Sequence, residues 1–305
     1  MIKIKLSTSF PTWPLHRQTP GAKGLWDNCK FFIDEPVDNC DWWVVYEGLT
    51  RPETTCCPPH NIIFISGEPP ANRKYKRGFL RQFSKIITSH RLFFYKNVLH
   101  QQQALPWHIG VRRGQDLVRF GYDDFAEMRK IEKSKQLSVT VSSKTKTEGH
   151  RQRLIFLDAL RAYFGNQIEI FGRGINEVED KWDAIAPFRY HIVMENSYYR
   201  DYFTEKLTDT YLGFAYPFYY GCPNLSNYYS TQAFTPIDIR QPEQAFAIIK
   251  RAMDADVYTS NLKYLYEARD LTLNKYNLFP MLAKICRSSS AEAKKPVTLY
   301  PERMM

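Results

Sequence analysis

Between residues 188 and 225 two short apolar runs flank one polar, helix-forming segment, and that order leaves few folds open. Residues 191–194 are apolar or β-branched apart from His191, and the run has the length of a buried strand. Glu195, Asn196 and Ser197 follow at its carboxyl end. Thr204 stands as an N-cap, and the spacing predicts a helix over 205–212 that Gly213 stops. Residues 215–220 form a second buried run, closed by Gly221-Cys222-Pro223. Strand, helix, strand is a βαβ unit, and ligands of open α/β sheets sit at the carboxyl ends of the strands. Glu195, Asn196, Glu205 and Lys206 would all gather there.

The same alternation runs through the second half. A strand over 137–141 leads into the polar, basic loop 142–150, which carries Lys144. A helix over 151–164 follows, then a strand over 168–171 ended by Gly172-Arg173-Gly174. After the central stretch come a short strand (234–239), a helix (242–253) and a mostly helical segment (261–286). This is the order of a doubly wound α/β domain. The first half also mixes short buried strands (3–6, 42–46, 62–65) with helical pieces. A charged helix and linker near residue 130 marks a boundary. The expected division is an N-terminal domain (1–130), a C-terminal domain (131–286) and a loose, polar, basic tail (287–305).

Hydrophobic residues make up 44% of the 305, enough for a real core. No apolar run reaches the roughly 18 residues of a membrane helix, and the N-terminus reads as an alternating strand rather than a leader, so a cytoplasmic location is expected. Six scattered cysteines do not make a disulfide scaffold, and adjacent Cys56 and Cys57 lack the partners of a zinc site. A net charge of +10 suits nucleic acid, an anionic membrane face or a phosphorylated small molecule. Arg73, Lys74, Lys76, Arg77, Arg81 and Lys85 cluster, as a solvated face or as a surface toward an anion. No Walker loop, complete dinucleotide fingerprint, HExxH or Gly-x-Ser-x-Gly elbow is present. What remains is a cationic hold on phosphate: Arg151 and Arg153 open one helix and Lys206 another. Glu68 lies past the buried run 62–65, stiffened by Pro69 and Pro70, as a general base or as a plain turn residue.

Phe188-Arg189-Tyr190, Glu195-Asn196-Ser197, Asp201-Tyr202-Phe203-Thr204-Glu205-Lys206, Pro217 and Gly221 together resemble the signature of the α-1,3/α-1,4-fucosyltransferases, glycosyltransferase family 10, over about residues 137–250. The resemblance implies a GT-B fold, two Rossmann-like domains facing a cleft, one for the acceptor and one for GDP-fucose. It implies an inverting, single-displacement transfer that needs no metal or other cofactor. It implies that Arg153 and Lys206 stabilise the diphosphate, that Glu205 contacts the donor, and that Glu195, Asn196 and Tyr202 line the donor pocket. Glu68 resembles the family's general base. Lys144 and His191 are further donor-binding candidates, with a satisfied core histidine as the other reading of His191. Arg189, Tyr190 and Met194 depart from the family pattern. The glycan acceptor would be lipid-linked or a lipopolysaccharide, reached by a soluble bacterial-type enzyme with peripheral contact at the inner membrane face. Two alternatives stay open: a same-fold transferase using another nucleotide sugar, and a non-catalytic glycan-binding module. Nucleic acid is not expected, since no basic-aromatic RNA motif is present.

Overall fold

The computed structural model describes residues 1–92, 94–112, 114, 117–287 and 293–305. The chain folds into two compact units: residues 1–106, 121–123 and 276–305 form the first, and residues 107–120 and 124–275 the second.

The first unit is built on a seven-stranded sheet in the order Leu25–Trp26, Cys29–Ile33, Ile2–Thr8, Trp42–Tyr46, Ile62–Ile65, Lys85–Thr88, Val98–His100. All pairs are parallel except the first. Its apolar strands are explained by burial on both faces. Trp42, Val44, Tyr46, Ile63 and Ile65 pack into one core cluster, and Trp43, Val45, Ile62 and Phe64 into the other. Helix Leu278–Ile285 supplies Leu278, Phe279, Met281 and Leu282 to the first cluster.

The expected boundaries therefore shift. Residues past 276 pack on the first sheet rather than closing the second domain. Periodicity shows that the Leu278–Ile285 stripe needs cover, but not which sheet provides it. Part of the tail expected to be loose is a strand: Lys295–Leu299 pairs antiparallel with Glu53–Cys57. Residues 288–292 of that tail lie outside the described residues.

The second unit carries a five-stranded, fully parallel sheet in the order Ile168–Phe171, Lys135–Thr140, Phe188–Met194, Tyr216–Tyr220, Thr235–Pro236. The helices Glu148–Phe164, Lys181–Ile185 and Glu205–Leu212 fill the first three connections. The chain leaves Lys135–Thr140 to one side, then returns to its other side. The direction of winding thus reverses between Lys135–Thr140 and Phe188–Met194, and at such a reversal the strand ends leave a crevice. Among the described residues no helix is long and apolar enough to cross a membrane.

The Phe64 ring, fully buried, meets Tyr75, Phe79 and Phe83 at centroid distances of 4.9, 5.4 and 5.1 Å. Phe64→Ala is expected to cost roughly 3–5 kcal/mol, read as a lowered denaturant midpoint; a change below about 1 kcal/mol would show that the cluster collapses to fill the space.

Candidate functional site

The strand Phe188–Met194 ends at the reversal point, and its next residue, Glu195, is fully buried. A bare carboxylate there would be costly, so its oxygens are satisfied. Glu195 Oε1 accepts from the Thr204 amide at 2.8 Å, and Oε2 accepts from Thr204 Oγ1 at 2.8 Å and from Lys206 Nζ at 3.3 Å. Thr204 also caps helix Glu205–Leu212 through the Lys206 amide. One carboxylate thereby ties a strand end to the next helix start. Gly221 makes room for it: a Cβ there would come within 2.5 Å of Glu195 Cγ.

Arg153 approaches from helix Glu148–Phe164 and is 3% exposed. Its Nη1 donates to the Met194 carbonyl at 3.4 Å, while its buried Nε has no hydrogen-bond partner. Burial pushes the guanidinium pKa down, against the raising fields of Glu195, Glu205 and Tyr202. Ser197 Oγ is likewise buried and unpartnered, and Tyr202 OH donates to Asn196 Oδ1 at 3.2 Å. A buried donor left unsatisfied calls for an explanation, and a ligand that completes it is one such explanation. The helix start itself is pressed close, since a Cβ on Gly149 would lie 2.0 Å from the Asn196 carbonyl oxygen.

Glu205 faces the same region. Burial works to raise its carboxyl pKa, but Lys206, Lys181 and His108 outweigh that and hold it well below the usual carboxylate range. Lys206 Nζ lies 3.4 Å and Lys181 Nζ 3.7 Å from Glu205 Oε1. Burial works to lower the Lys206 pKa, and Glu195 with Glu205 raises it. Lys181 also pairs with fully buried Asp209 at 2.8 Å, and Asp209 Oδ1 accepts from the His108 and Ile109 amides.

Sequence reasoning passed over Lys181 and Asp209. A signal existed: Glu205 and Asp209 stand four apart on one helix, and two like charges on a partly buried face require a cation between them. Conversely, Lys206 and Arg151 at helix starts do not need an external anion, because Glu195 and Glu148 answer them within the chain.

Arg153, Glu195, Asn196, Tyr202, Glu205 and Lys206 are therefore linked by hydrogen bonds or charge contacts, while two other candidates stand differently. Lys144 is exposed in the loop after Lys135–Thr140. His191 is a core residue, 3% exposed, within its strand. Ser138 Oγ donates to the Ala184 carbonyl, so His191 Nδ1 donates to Ser138 Oγ at 2.7 Å. Burial first, then the charges of Lys181 and Lys133, push its pKa down to about 3. The departures from the family pattern also have packing roles: Arg189 pairs with Asp256 at 3.1 Å, and Tyr190 stacks on Phe218.

Glu68, in the first unit, is half-buried past the end of Ile62–Ile65. Asn72 Nδ2 donates to its Oε2 at 2.8 Å, and His90 Nε2 lies 2.8 Å from its carbonyl oxygen and so donates to it. Glu47 lies close by: a Cβ on Gly67 would come within 2.0 Å of Glu47 Oε1. Burial, and then the Glu68 charge, raise the Glu47 pKa. Among the described residues no group of three or more His, Cys, Asp or Glu is placed to hold a metal ion.

A family model described as glycosyltransferase family 10 (fucosyltransferase), C-terminal, matches residues 131–296. No curated protein matches the chain. Among solved structures, an alpha1,3-fucosyltransferase with GDP is similar at 14% identity and a TM-score of 0.51, covering 91% of this chain and 93% of that one. An alpha1,3-fucosyltransferase with GDP-fucose is similar at 16% identity and a TM-score of 0.50, covering 96% and 93%. These likenesses establish the fold, which is GT-B.

Asp209→Ala leaves Lys181 with Glu205 alone and is expected to cost about 3 kcal/mol, the low end for breaking a buried pair, read by urea unfolding at pH 7. His191 titrates near 6.5 unfolded and about 3 folded. Below pH 6.5 the unfolded chain binds the extra proton, so this group removes stability as pH falls through that window. Urea midpoints should drop more steeply between pH 7 and 4 for the natural protein than for His191→Gln; parallel slopes would contradict the neutral core histidine.

Proposed function

This chain belongs to glycosyltransferase family 10, the fucosyltransferases, and from that premise we propose that it is an inverting transferase moving fucose from GDP-fucose to a hydroxyl of a glycan acceptor. One observation carries the donor half of the reading: a buried guanidinium, Arg153, has an unused donor at the reversal point of a parallel sheet. A diphosphate fits that position by charge and by hydrogen-bond demand.

In this reading Arg153 meets the diphosphate, and Lys206 adds a second positive charge. Glu195 holds Lys206 in place both directly and through Thr204, so its role is to position. Asn196 and Tyr202 line the donor pocket, and Glu205 contacts the donor. Glu68 takes the proton from the acceptor hydroxyl. The acceptor oxygen forms a bond to the anomeric carbon as the bond from that carbon to the phosphate oxygen breaks. The electron pair leaves with GDP, and attack from the opposite face inverts the anomeric centre. Arg153 and Lys206 stabilise the charge growing on GDP in the transition state. The carboxylate of Glu68, held by Asn72 and by its bonded backbone, is suited to proton abstraction. No cofactor enters the step.

Incubation with GDP-fucose and a panel of glycan acceptors should release GDP, and calorimetry should detect GDP binding; absence of both would overturn the reading. Release from another nucleotide sugar instead of GDP-fucose would replace the donor and keep the reaction class. Glu68→Gln is expected to lower kcat by about 10²–10⁴-fold while GDP still binds. Arg153→Met should weaken GDP binding by about ten-fold or more, as the loss of one charge-assisted contact.

A further inference from the structure

The first unit has a reversal point of its own. The chain passes from Ile2–Thr8 to Cys29–Ile33 on one side, then returns to Trp42–Tyr46 on the other. The reversal therefore lies between Ile2–Thr8 and Trp42–Tyr46, and their carboxyl ends lead to Ser9 and Gly48. A cavity of about 560 Å³ opens there, lined by both residues. A cavity at this place in a parallel sheet is where a ligand is expected.

Its lining is cationic. Arg73, Lys74, Lys76 and Arg303 face one carboxylate, Glu302. Arg73 is matched, at 3.1 Å to Glu302 and 3.4 Å to Glu47. Arg303 Nη2 donates to the neutral Thr50 carbonyl at 2.8 Å, and Lys76 Nζ to the main-chain oxygen of Met305 at 2.8 Å. The Thr50 bond satisfies a donor of Arg303 without cancelling its charge. Lys74 is exposed. The lining thus carries a surplus of positive charge, with Lys74 and Arg303 lacking a carboxylate partner among the described residues, an arrangement that raises the local concentration of anions.

Its position relative to Glu68 gives the charge a purpose. Arg73 pairs with Glu47, and the Glu47 carboxylate lies against the backbone at Gly67, next to Glu68. We propose that this cavity binds an acidic group, carboxylate or phosphate, carried by the acceptor saccharide, so that the enzyme prefers anionic glycans over neutral ones. The proposal rests on the reading of this unit as the acceptor side of a glycosyltransferase. Arg73 is held in place by its two carboxylates, and Lys74 and Lys76 are the contacts available to the incoming anion.

The test is direct binding, which does not depend on turnover. Calorimetry at low salt on the full chain compares a neutral hexose oligosaccharide with its uronic-acid and its 6-phosphate counterparts. At least one acidic form should bind about ten-fold tighter than the neutral one, the range of one or two charge-assisted contacts. The preference should fall with added salt and should vanish in the double variant Lys74→Gln, Lys76→Gln, whose melting temperature serves as the folding control. The better of the two acidic arms identifies the group as carboxylate or phosphate. Equal affinities, no binding of any form, or a preference that survives the double variant would overturn the proposal. If the acidic preference is present while GDP does not bind, the cavity stands and the transferase reading falls. If GDP binds and no preference exists, the cavity falls alone.

Discussion

The second unit depends on one buried carboxylate. Glu195 sits at the end of the central strand with no solvent exposure, where an unpaired charge would cost several kcal/mol. It is tolerated because Thr204 offers both its amide and its hydroxyl and Lys206 brings a compensating charge. The same bonds fix where helix Glu205–Leu212 begins, and hence the direction in which Glu205, Lys206 and Asp209 point. Gly221 and Thr204 are needed for this reason and not for turn geometry alone.

Arg153 shows the opposite situation. Its side chain is buried nearly as deeply as Glu195, yet one of its donors is unmatched. Glu195 and Glu205 supply long-range compensation, enough to keep a cation there but not to satisfy its hydrogen bonds. That unfilled donor, beside a closely packed helix start, is the observation on which the proposed diphosphate site rests. The neighbouring Lys181–Asp209 pair has no such deficit and acts as the rigid support behind Glu205.

Much of the second unit's candidate site was legible because its elements are local. Thr204 at the N-cap, the helix over 205–212 and the strand 168–171 follow from propensity and capping within a few residues. The gathering of Glu195 with Lys206 followed from the rule that strand ends and following helix starts meet. Lys181 was missed because nothing local marks it: it comes from a separate short helix, and only packing brings it to Asp209. His191 was ambiguous for a related reason. A histidine in a strand reads alike whether it faces a ligand or Ser138, and the neighbouring strand decides.

By itself the sequence determined the α/β class, the parallel strands and the chemical types at their carboxyl ends, because apolar runs, caps and turn residues act over short separations. Its motifs also determined the family. Only the tertiary structure decided that residues past 276 return to the first sheet, that Arg73, Lys74 and Lys76 of the basic run line a cavity, and that Lys181 answers Asp209 inside the chain. Those outcomes depend on which surfaces meet across long stretches of chain. A periodic stripe or a charged run states a need for a partner without naming it.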